Sequence, residues 1–329
     1  MRAVVLSSYG SPPVISVQDI AAPALKPGHV RLRVHAVGFG FPDALMVAGK
    51  YQVKPDVPFT PGTEVAGVIV AVASDVTAFK PGQRVLAMLG QGGGLAEECV
   101  APVEMLIPLP ESMSMSAAAG FLVNYGTTYH ALKQRANIQP GETLLVLGAA
   151  GGVGLTAIEI GKALGARVLA AASTPEKLEL AKRHGADAVF NYTQEAIKAK
   201  VMEFTEGRGI DVAYDPVGAD FAEQVVRAMA WNGRYLVIGF AGGKIPAIPL
   251  NLPLLKGCSL VGVFWGAHTR KEPAVHAANL QALFALFESG KIRPHVTELD
   301  GLDRFTEALD VLNTRRSTGK VVIRVASAE

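Results

Sequence analysis

Thr143-Leu144-Leu145-Val146-Leu147-Gly148-Ala149-Ala150-Gly151-Gly152-Val153-Gly154 is an apolar run that drives into a cluster of glycines, and a helical pattern from Leu155 to Leu164 follows it. A short apolar run closed by glycine reads as a buried strand. Gly151 lets backbone approach an anion, Gly154 lets the new helix pack closely on the sheet, and the first helical N–H groups point at whatever is bound. Arg167 to Ala172 reads as a second strand and completes the βαβ unit in which such a turn cradles a pyrophosphate. Ala149 stands where the first glycine of G-x-G-x-x-G is usual, so the flanking elements carry the reading more than the pattern does. Ala150, Gly151, Gly152 and Val153 are the expected pyrophosphate contacts.

The end of the second strand bears on which nucleotide is held. NAD-preferring proteins place Asp or Glu there, about 20 residues past the glycines, to hold the ribose hydroxyls. This chain reads Ala171-Ala172-Ser173-Thr174-Pro175-Glu176-Lys177, with hydroxyls and, one turn into the next helix, an ammonium. Ser173, Thr174 and Lys177 suit a 2′-phosphate, so NADPH is the expected cofactor. Two charge-assisted hydrogen bonds at about 1.5–3 kcal/mol each would favour it by roughly 10²-fold or more. Thr174 and Pro175 also form a good helix N-cap and first-turn pair whatever binds nearby.

At 329 residues the chain is long enough for about two domains. Hydrophobic content of 50% with charged content of 18% describes a compact chain, and a net charge of +2 with scattered basic residues gives no footprint for nucleic acid. Ser112 to Leu132 lacks charge but contains Asn124, His130 and several hydroxyls, so it reads as buried helix and loop and not as a membrane span. Met1-Arg2-Ala3-Val4-Val5 begins a strand at once without the marks of an export signal, so the cytosol is the expected compartment. Cys99 and Cys258 are too few and too far apart for a disulfide framework or a cysteine-rich zinc lobe, and both are expected in the core.

Up to about Ala119 the chain reads as short strands punctuated by Pro and Gly: Arg2 to Ser7, Val14 to Ile20, His29 to Val37, Glu64 to Val72 and Arg84 to Met88. Such spacing predicts a barrel-like β domain. From Gly141 strands alternate with helices: Thr143 to Leu147, Arg167 to Ala172, Ala188 to Asn191, Asp211 to Tyr214, Arg234 to Ile238 and Ser259 to Val263. That alternation predicts a parallel sheet covered on both faces. Helix Glu272 to Glu288, extended His295 to Glu298, helix Leu302 to Leu312 and strand Gly319 to Val325 do not continue it. A doubly wound α/β domain over 124–266, inserted in a β-rich domain over 1–123 and 267–329, would explain the tail, with ligands expected in the crevice between the two.

In this order and spacing, Gly38-Phe39-Gly40-Phe41-Pro42-Asp43, Gly49-Lys50-Tyr51, Pro61-Gly62-Thr63-Glu64-Val65-Ala66-Gly67, the Gly141-Glu142 to Lys162 segment, Tyr214-Asp215-Pro216-Val217-Gly218 and Gly319-Lys320-Val321-Val322 resemble the zinc-independent quinone oxidoreductase branch of the medium-chain dehydrogenase/reductase superfamily. The resemblance covers essentially the whole chain. It implies a GroES-like catalytic domain, a Rossmann domain and NADPH-dependent reduction of quinones or activated C=C bonds by direct hydride transfer. Zinc alcohol dehydrogenases of the superfamily have Cys where this chain has Gly40 and His where it has Thr63, and a catalytic zinc needs three protein ligands, so no metal is expected. Without a Lewis acid the acceptor must already be electrophilic, as a quinone or an enone is.

By the same resemblance Tyr51 is the candidate hydrogen-bond donor to the acceptor oxygen, and Gly40, Phe41, Tyr51 and Trp265 are the expected substrate pocket. Thr127 and Tyr129 are expected on the nicotinamide side, Tyr192 at the adenosine end beside Lys177, and Phe240, Val263, Phe264 and Trp265 around the nicotinamide half. Lys320 and Asp215 complete the candidates, Lys320 as a cofactor contact. Relatives usually have Asn where this chain has Gly40, Gln where it has Glu159 and Ser where it has Pro216. The first change opens room in the pocket; Glu159, inside a helix, is expected to alter only packing or surface charge. The run Cys258 to Val263 is expected at a sheet edge, through which relatives often dimerise, and a homodimer is predicted. The competing functions are a zinc-type alcohol dehydrogenase with unorthodox metal sites and a non-catalytic NADPH-binding structural or regulatory protein.

Overall fold

The computed structural model describes residues 1–325, which divide into two compact units, Met1–Leu122 with His295 onward, and Val123–Pro294. The first unit opens with strands β1 (Arg2–Ser8) and β2 (Val14–Asp19), an antiparallel pair. Then come β3 (His29–Phe39), helix α1 (Phe41–Val47), β4 (Glu64–Val72), β5 (Arg84–Met88), β6 (Glu98–Pro102), β7 (Leu106–Pro108) and helix α2 (Met115–Ala119). Eleven-residue β3 is the spine of the sheet: Val30 to Gly38 pair with β4 on one edge, while its first half takes β6 on the other. Its burial alternates at the start and becomes continuous from Ala36 to Gly40, where the strand enters the core.

The second unit begins in α3 (Leu122–Tyr129), which runs on as one π-helical segment, His130–Arg135. Strand and helix then alternate: β8 (Thr143–Val146), α4 (Gly152–Ala163), β9 (Arg167–Ala172), α5 (Pro175–Arg183), β10 (Ala188–Asn191), α6 (Ile197–Phe204), β11 (Ile210–Asp215), α7 (Phe221–Arg227), β12 (Met229–Val237), α8 (Asn251–Lys256) and β13 (Ser259–Gly262). The six strands pair in parallel in the order β10-β9-β8-β11-β12-β13. In order of appearance that is 3-2-1-4-5-6, the doubly wound arrangement whose reversal point lies beside its first strand. Near-continuous burial of β8, β9 and β11 is what a sheet covered on both faces requires. β13 forms one edge and is largely exposed.

Helices α9 (Trp265–Lys271) and α10 (Pro273–Glu288) close the second unit. The sequence reading assigned 267 onward to the β-rich domain, whereas the unit boundary lies at Pro294/His295. Side-chain contacts explain the difference. Asn279 of α10 exchanges hydrogen bonds with Gln134, His276 meets Trp265 edge-on, and the Arg293 N–H donates to Glu159. The tail returns as β14 (Val296–Asp300), a 3-10 turn, helix α11 (Phe305–Asn313) and β15 (Lys320–Arg324). β15 pairs antiparallel with the second half of β3, finishing a seven-stranded mixed sheet. Its last-strand return to the first unit is the insertion topology that the broken alternation implied. Among the described residues no helix is long and apolar enough to cross a membrane.

Candidate functional site

In the second unit β8 ends at the reversal point, and the chain turns through Gly148, whose φ of +56° favours glycine, to the N-terminus of α4. A Cβ on Gly154 would stand 2.8 Å from the Ala149 backbone, so only glycine lets this helix start so near the strand. A Cβ on Gly151 would meet nothing nearer than the Gly148 carbonyl, at 3.3 Å, and Gly151, Gly152 and Val153 are half-exposed. The turn is therefore open, with first-turn N–H groups that have no acceptor within the helix. Behind it, the Asn124 amide packs against Gly152, and Thr128 links the hydroxyls of Thr156 and Tyr214, at 2.7 and 2.9 Å. Asn124, Thr128 and Thr156 brace the turn, a role with no motif to announce it in the sequence.

At the end of β9, Thr174 caps α5 by accepting from the Lys177 N–H at 3.4 Å. The capping reading of Thr174 is thus realised, and its hydroxyl also hydrogen-bonds the Glu176 carboxylate. Partial burial lowers the Lys177 ammonium from its ordinary value. Asn191 donates to the Ser173 carbonyl, and Tyr192, just past β10, lies against Phe221. Ser173, Thr174, Lys177 and Tyr192 therefore share one end of the sheet with the glycine turn. Phe240 packs over Gly218, in a loop held by Asp215, whose carboxylate accepts from the Val217 and Gly218 N–H groups and from the Tyr235 hydroxyl. Asp215 acts as a loop anchor.

Val263 leaves β13 with its N–H on the Val237 carbonyl. Phe264 is exposed, while Trp265 is buried with its indole against Gly126. Tyr129 is buried, which raises its phenol, and Thr127 on the same helix is half-exposed. Glu159 is not on the surface. It is 6% exposed, accepts from the Tyr125 hydroxyl at 2.6 Å and the Arg293 N–H, and lies 2.8 Å from His184 Nδ1. Cys99 is buried and its thiol pushed up to about 12, whereas Cys258 is only half-buried.

The first unit gathers a different set. Asp43, on α1, accepts from the Gly40 N–H at 2.9 Å and the Thr63 hydroxyl at 3.0 Å. Burial raises its carboxyl, against the opposing charge of Lys320. Lys320 donates to Glu64 at 3.0 Å, and both side chains are almost wholly buried. Lys320 thus lies in the first unit's interior, beside Gly40. Phe41 and Tyr51 are half-buried; burial and then the Asp43 charge raise the Tyr51 phenol. Among the described residues no group of three His, Cys, Asp or Glu is arranged to hold a metal.

A doubly wound sheet with a glycine turn at its reversal point, inserted in a mixed β unit, is the two-domain arrangement found in nucleotide-dependent dehydrogenases and reductases. Family models agree: residues 26–111 match the alcohol dehydrogenase GroES-like domain, and residues 152–279 the zinc-binding dehydrogenase domain. A quinone oxidoreductase-like protein 2 homolog from Nematostella vectensis is 44% identical, covering 98% of this chain and 88% of that protein. The quinone oxidoreductase of Thermus thermophilus, solved alone and in complex with NADPH, superposes with a TM-score of 0.85 at 34% identity, over 99% of this chain and 100% of that one. An enoyl reductase, CurK, gives 0.86 at 26% identity over 99% of both chains. The chain belongs to the medium-chain dehydrogenase/reductase superfamily, in its quinone oxidoreductase branch.

Proposed function

We propose that this chain reduces quinones or activated C=C bonds with NADPH by direct hydride transfer, without a metal. The observation that carries the cofactor assignment is the open glycine turn at the sheet's reversal point, next to a β9 end that offers Ser173, Thr174 and Lys177 in place of an acid. NADPH, when bound, supplies the hydride. Ala150, Gly151, Gly152 and Val153 hold the pyrophosphate; Ser173, Thr174 and Lys177 hold the 2′-phosphate; Tyr192 covers the adenosine. Thr127, Tyr129, Phe240, Val263, Phe264 and Trp265 flank the nicotinamide. Gly40, Phe41, Tyr51 and Trp265 line the acceptor pocket, and the Tyr51 hydroxyl donates to the acceptor oxygen as charge builds there. No hydrogen bond among the described residues occupies that hydroxyl, which leaves it available.

Lost ligand positions at Gly40 and Thr63 support an acceptor that is electrophilic without a cation. Two thiols with no disulfide suit a cytosolic setting. We place a homodimer contact at the β13 edge, where Trp231, Leu254, Leu255 and Leu260 expose apolar surface.

Oxidation of NADPH against a panel of quinones and enones tests the reading, with NADH as the control. Turnover with NADPH preferred at least about 10-fold is the expected result. Tight NADPH binding with no turnover on any acceptor would make the chain a non-catalytic cofactor-binding protein. Stoichiometric zinc tied to activity would make it an alcohol dehydrogenase of unusual ligation. Sedimentation at micromolar protein checks the dimer, and Leu260→Arg is expected to yield monomers.

A further inference from the structure

One face of α4 is built to hold α3. Gly152, Thr156 and Glu159 recur at the spacing of a single helical face, and each meets a residue of α3. A Cβ on Gly152 would stand 2.5 Å from the Asn124 amide nitrogen, so the Asn124 side chain lies directly on the glycine turn. Thr156 shares a 2.7 Å hydrogen bond with the Thr128 hydroxyl, and Glu159 accepts from the Tyr125 hydroxyl at 2.6 Å. Gly126 is the next residue along α3, and a Cβ there would come within 2.8 Å of the Trp265 indole nitrogen. Tyr125 therefore stands in sequence between the residue that touches the glycine turn and the residue that seats Trp265.

Close approach at glycine sets distances, whereas directional hydrogen bonds at Thr128 and Tyr125 set the register of α3 along α4. Of the two, only the bond from Tyr125 ends on a carboxylate, and such bonds are roughly twice as strong as neutral ones. The carboxylate is itself fixed from two further directions. His184, at the C-terminal end of α5, brings Nδ1 to 2.8 Å, and the N–H of Arg293, the last residue but one of the second unit, donates at 3.2 Å. At 6% exposure Glu159 cannot swing toward water without leaving these buried groups unmet.

None of the chemistry proposed above calls on this group. We propose that Glu159 is a positioning residue for the cofactor site: through Tyr125 it fixes α3, and α3 in turn holds Asn124 on the glycine turn and Trp265 in its seat. This rests on the NADPH reading and deepens it, since it ties the pyrophosphate end and the nicotinamide end of the site to one buried carboxylate. Glu159 acts through Tyr125, not by contact with cofactor or acceptor.

The test uses the full-length protein in a Trp231→Phe background, which leaves Trp265 as the only tryptophan. Tyr125→Phe removes the hydroxyl and keeps the ring, while Glu159→Gln keeps an acceptor for Tyr125 and removes the charge. Nicotinamide fluorescence gives the NADPH affinity, and acrylamide quenching of Trp265 reports on its seat without any cofactor. Tyr125→Phe is expected to weaken NADPH binding about 5- to 10-fold, the worth of one charge-assisted hydrogen bond, and to raise Trp265 quenching. Glu159→Gln should restore part of both, and the double variant should bind no worse than Tyr125→Phe alone, because the two residues act as one unit. Unchanged affinity and quenching in Tyr125→Phe, or losses that simply add in the double variant, would overturn the proposal and leave Glu159 a structural carboxylate. If wild type binds no NADPH while Tyr125→Phe still exposes Trp265, the cofactor reading fails and the brace on α3 stands.

Discussion

The two units reach polar chemistry by opposite routes. In the second, the glycine turn offers backbone N–H groups and close approach, with no charged side chain in the turn itself. In the first, three charged side chains, Asp43, Glu64 and Lys320, sit inside a β core among glycines. Backbone donors need no desolvation of a full charge and are cheap to hold; their specificity lies in shape. Buried charges are expensive, and each survives because its partner is there. A backbone site should therefore fail by steric intrusion, and a charged site by loss of a partner.

The largest expected effect falls on the charged site. Lys320→Met alone removes the cation paired with Glu64, which is 0% exposed, and breaking a buried pair in that way costs about 3–5 kcal/mol. Urea unfolding of the single variant and of the pair with Glu64→Gln checks it: the second change should recover much of the loss. Equal destabilisation by the single and double variants would mean that packing, not charge, governs this core.

Gly154→Val attacks the backbone site through volume. Its Cβ would meet the Ala149 backbone and the Gly148 carbonyl, so α4 must move away from β8. Overpacking of this sort costs about 1–3 kcal/mol in stability, and NADPH affinity is expected to fall at least about 10²-fold because the displaced first turn no longer meets the pyrophosphate. Titration by fluorescence measures it; unchanged affinity would remove the turn from the cofactor site. Lys177→Ala is the milder counterpart. It leaves the turn alone and should shrink the NADPH over NADH preference about 10-fold, the worth of one charge-assisted hydrogen bond. A preference that survives intact would shift the phosphate to other residues.

Legibility followed the same division. Pattern and turn chemistry located β4, β5, β9 and β10 to the residue, because period and punctuation agree there. β6 and β7 escaped because each ends in proline, and α1 because Pro42 in its first turn reads as a breaker. The sequence reading began β12 late, at Arg234: Asn232-Gly233 looks like a turn, yet the strand runs through it as a bulge with Asn232 at a φ of +61°. Residues contributed by one local motif, such as Gly151 to Val153, could be read from spacing. Lys320 and Glu64 lie 256 positions apart, and the hydrogen bond between them depends on the return of β15 to β3. Glu159 was hidden for the same reason, since Tyr125, His184 and Arg293 converge on it only after folding.

The smallest effect concerns charge that the second unit refuses to carry. His130 and His268 are both buried and stacked, ring centroids 3.8 Å apart and 15° from parallel. Burial, then the neighbouring His268, pushes His130 down from its ordinary 6.5 to about 4, against the hydrogen bond to Gln134; Arg135 adds to the lowering and Glu272 opposes it. His276, edge-on to His268, is lowered in the same direction by burial and by His268. The sign follows from linkage. Above 6.5 the imidazole is neutral folded or unfolded and pH has no effect through it; between 6.5 and about 4 the unfolded chain takes up a proton that the folded one declines, so stability falls as pH drops. Below about 4 both forms are protonated and the decline from this group stops. His130→Gln should therefore flatten the loss of stability between pH 7.5 and 5 measured by urea unfolding, while leaving its value at pH 7.5 within about 1 kcal/mol of wild type. Parallel acid loss in both proteins would place the titration elsewhere and make the stack a matter of packing alone.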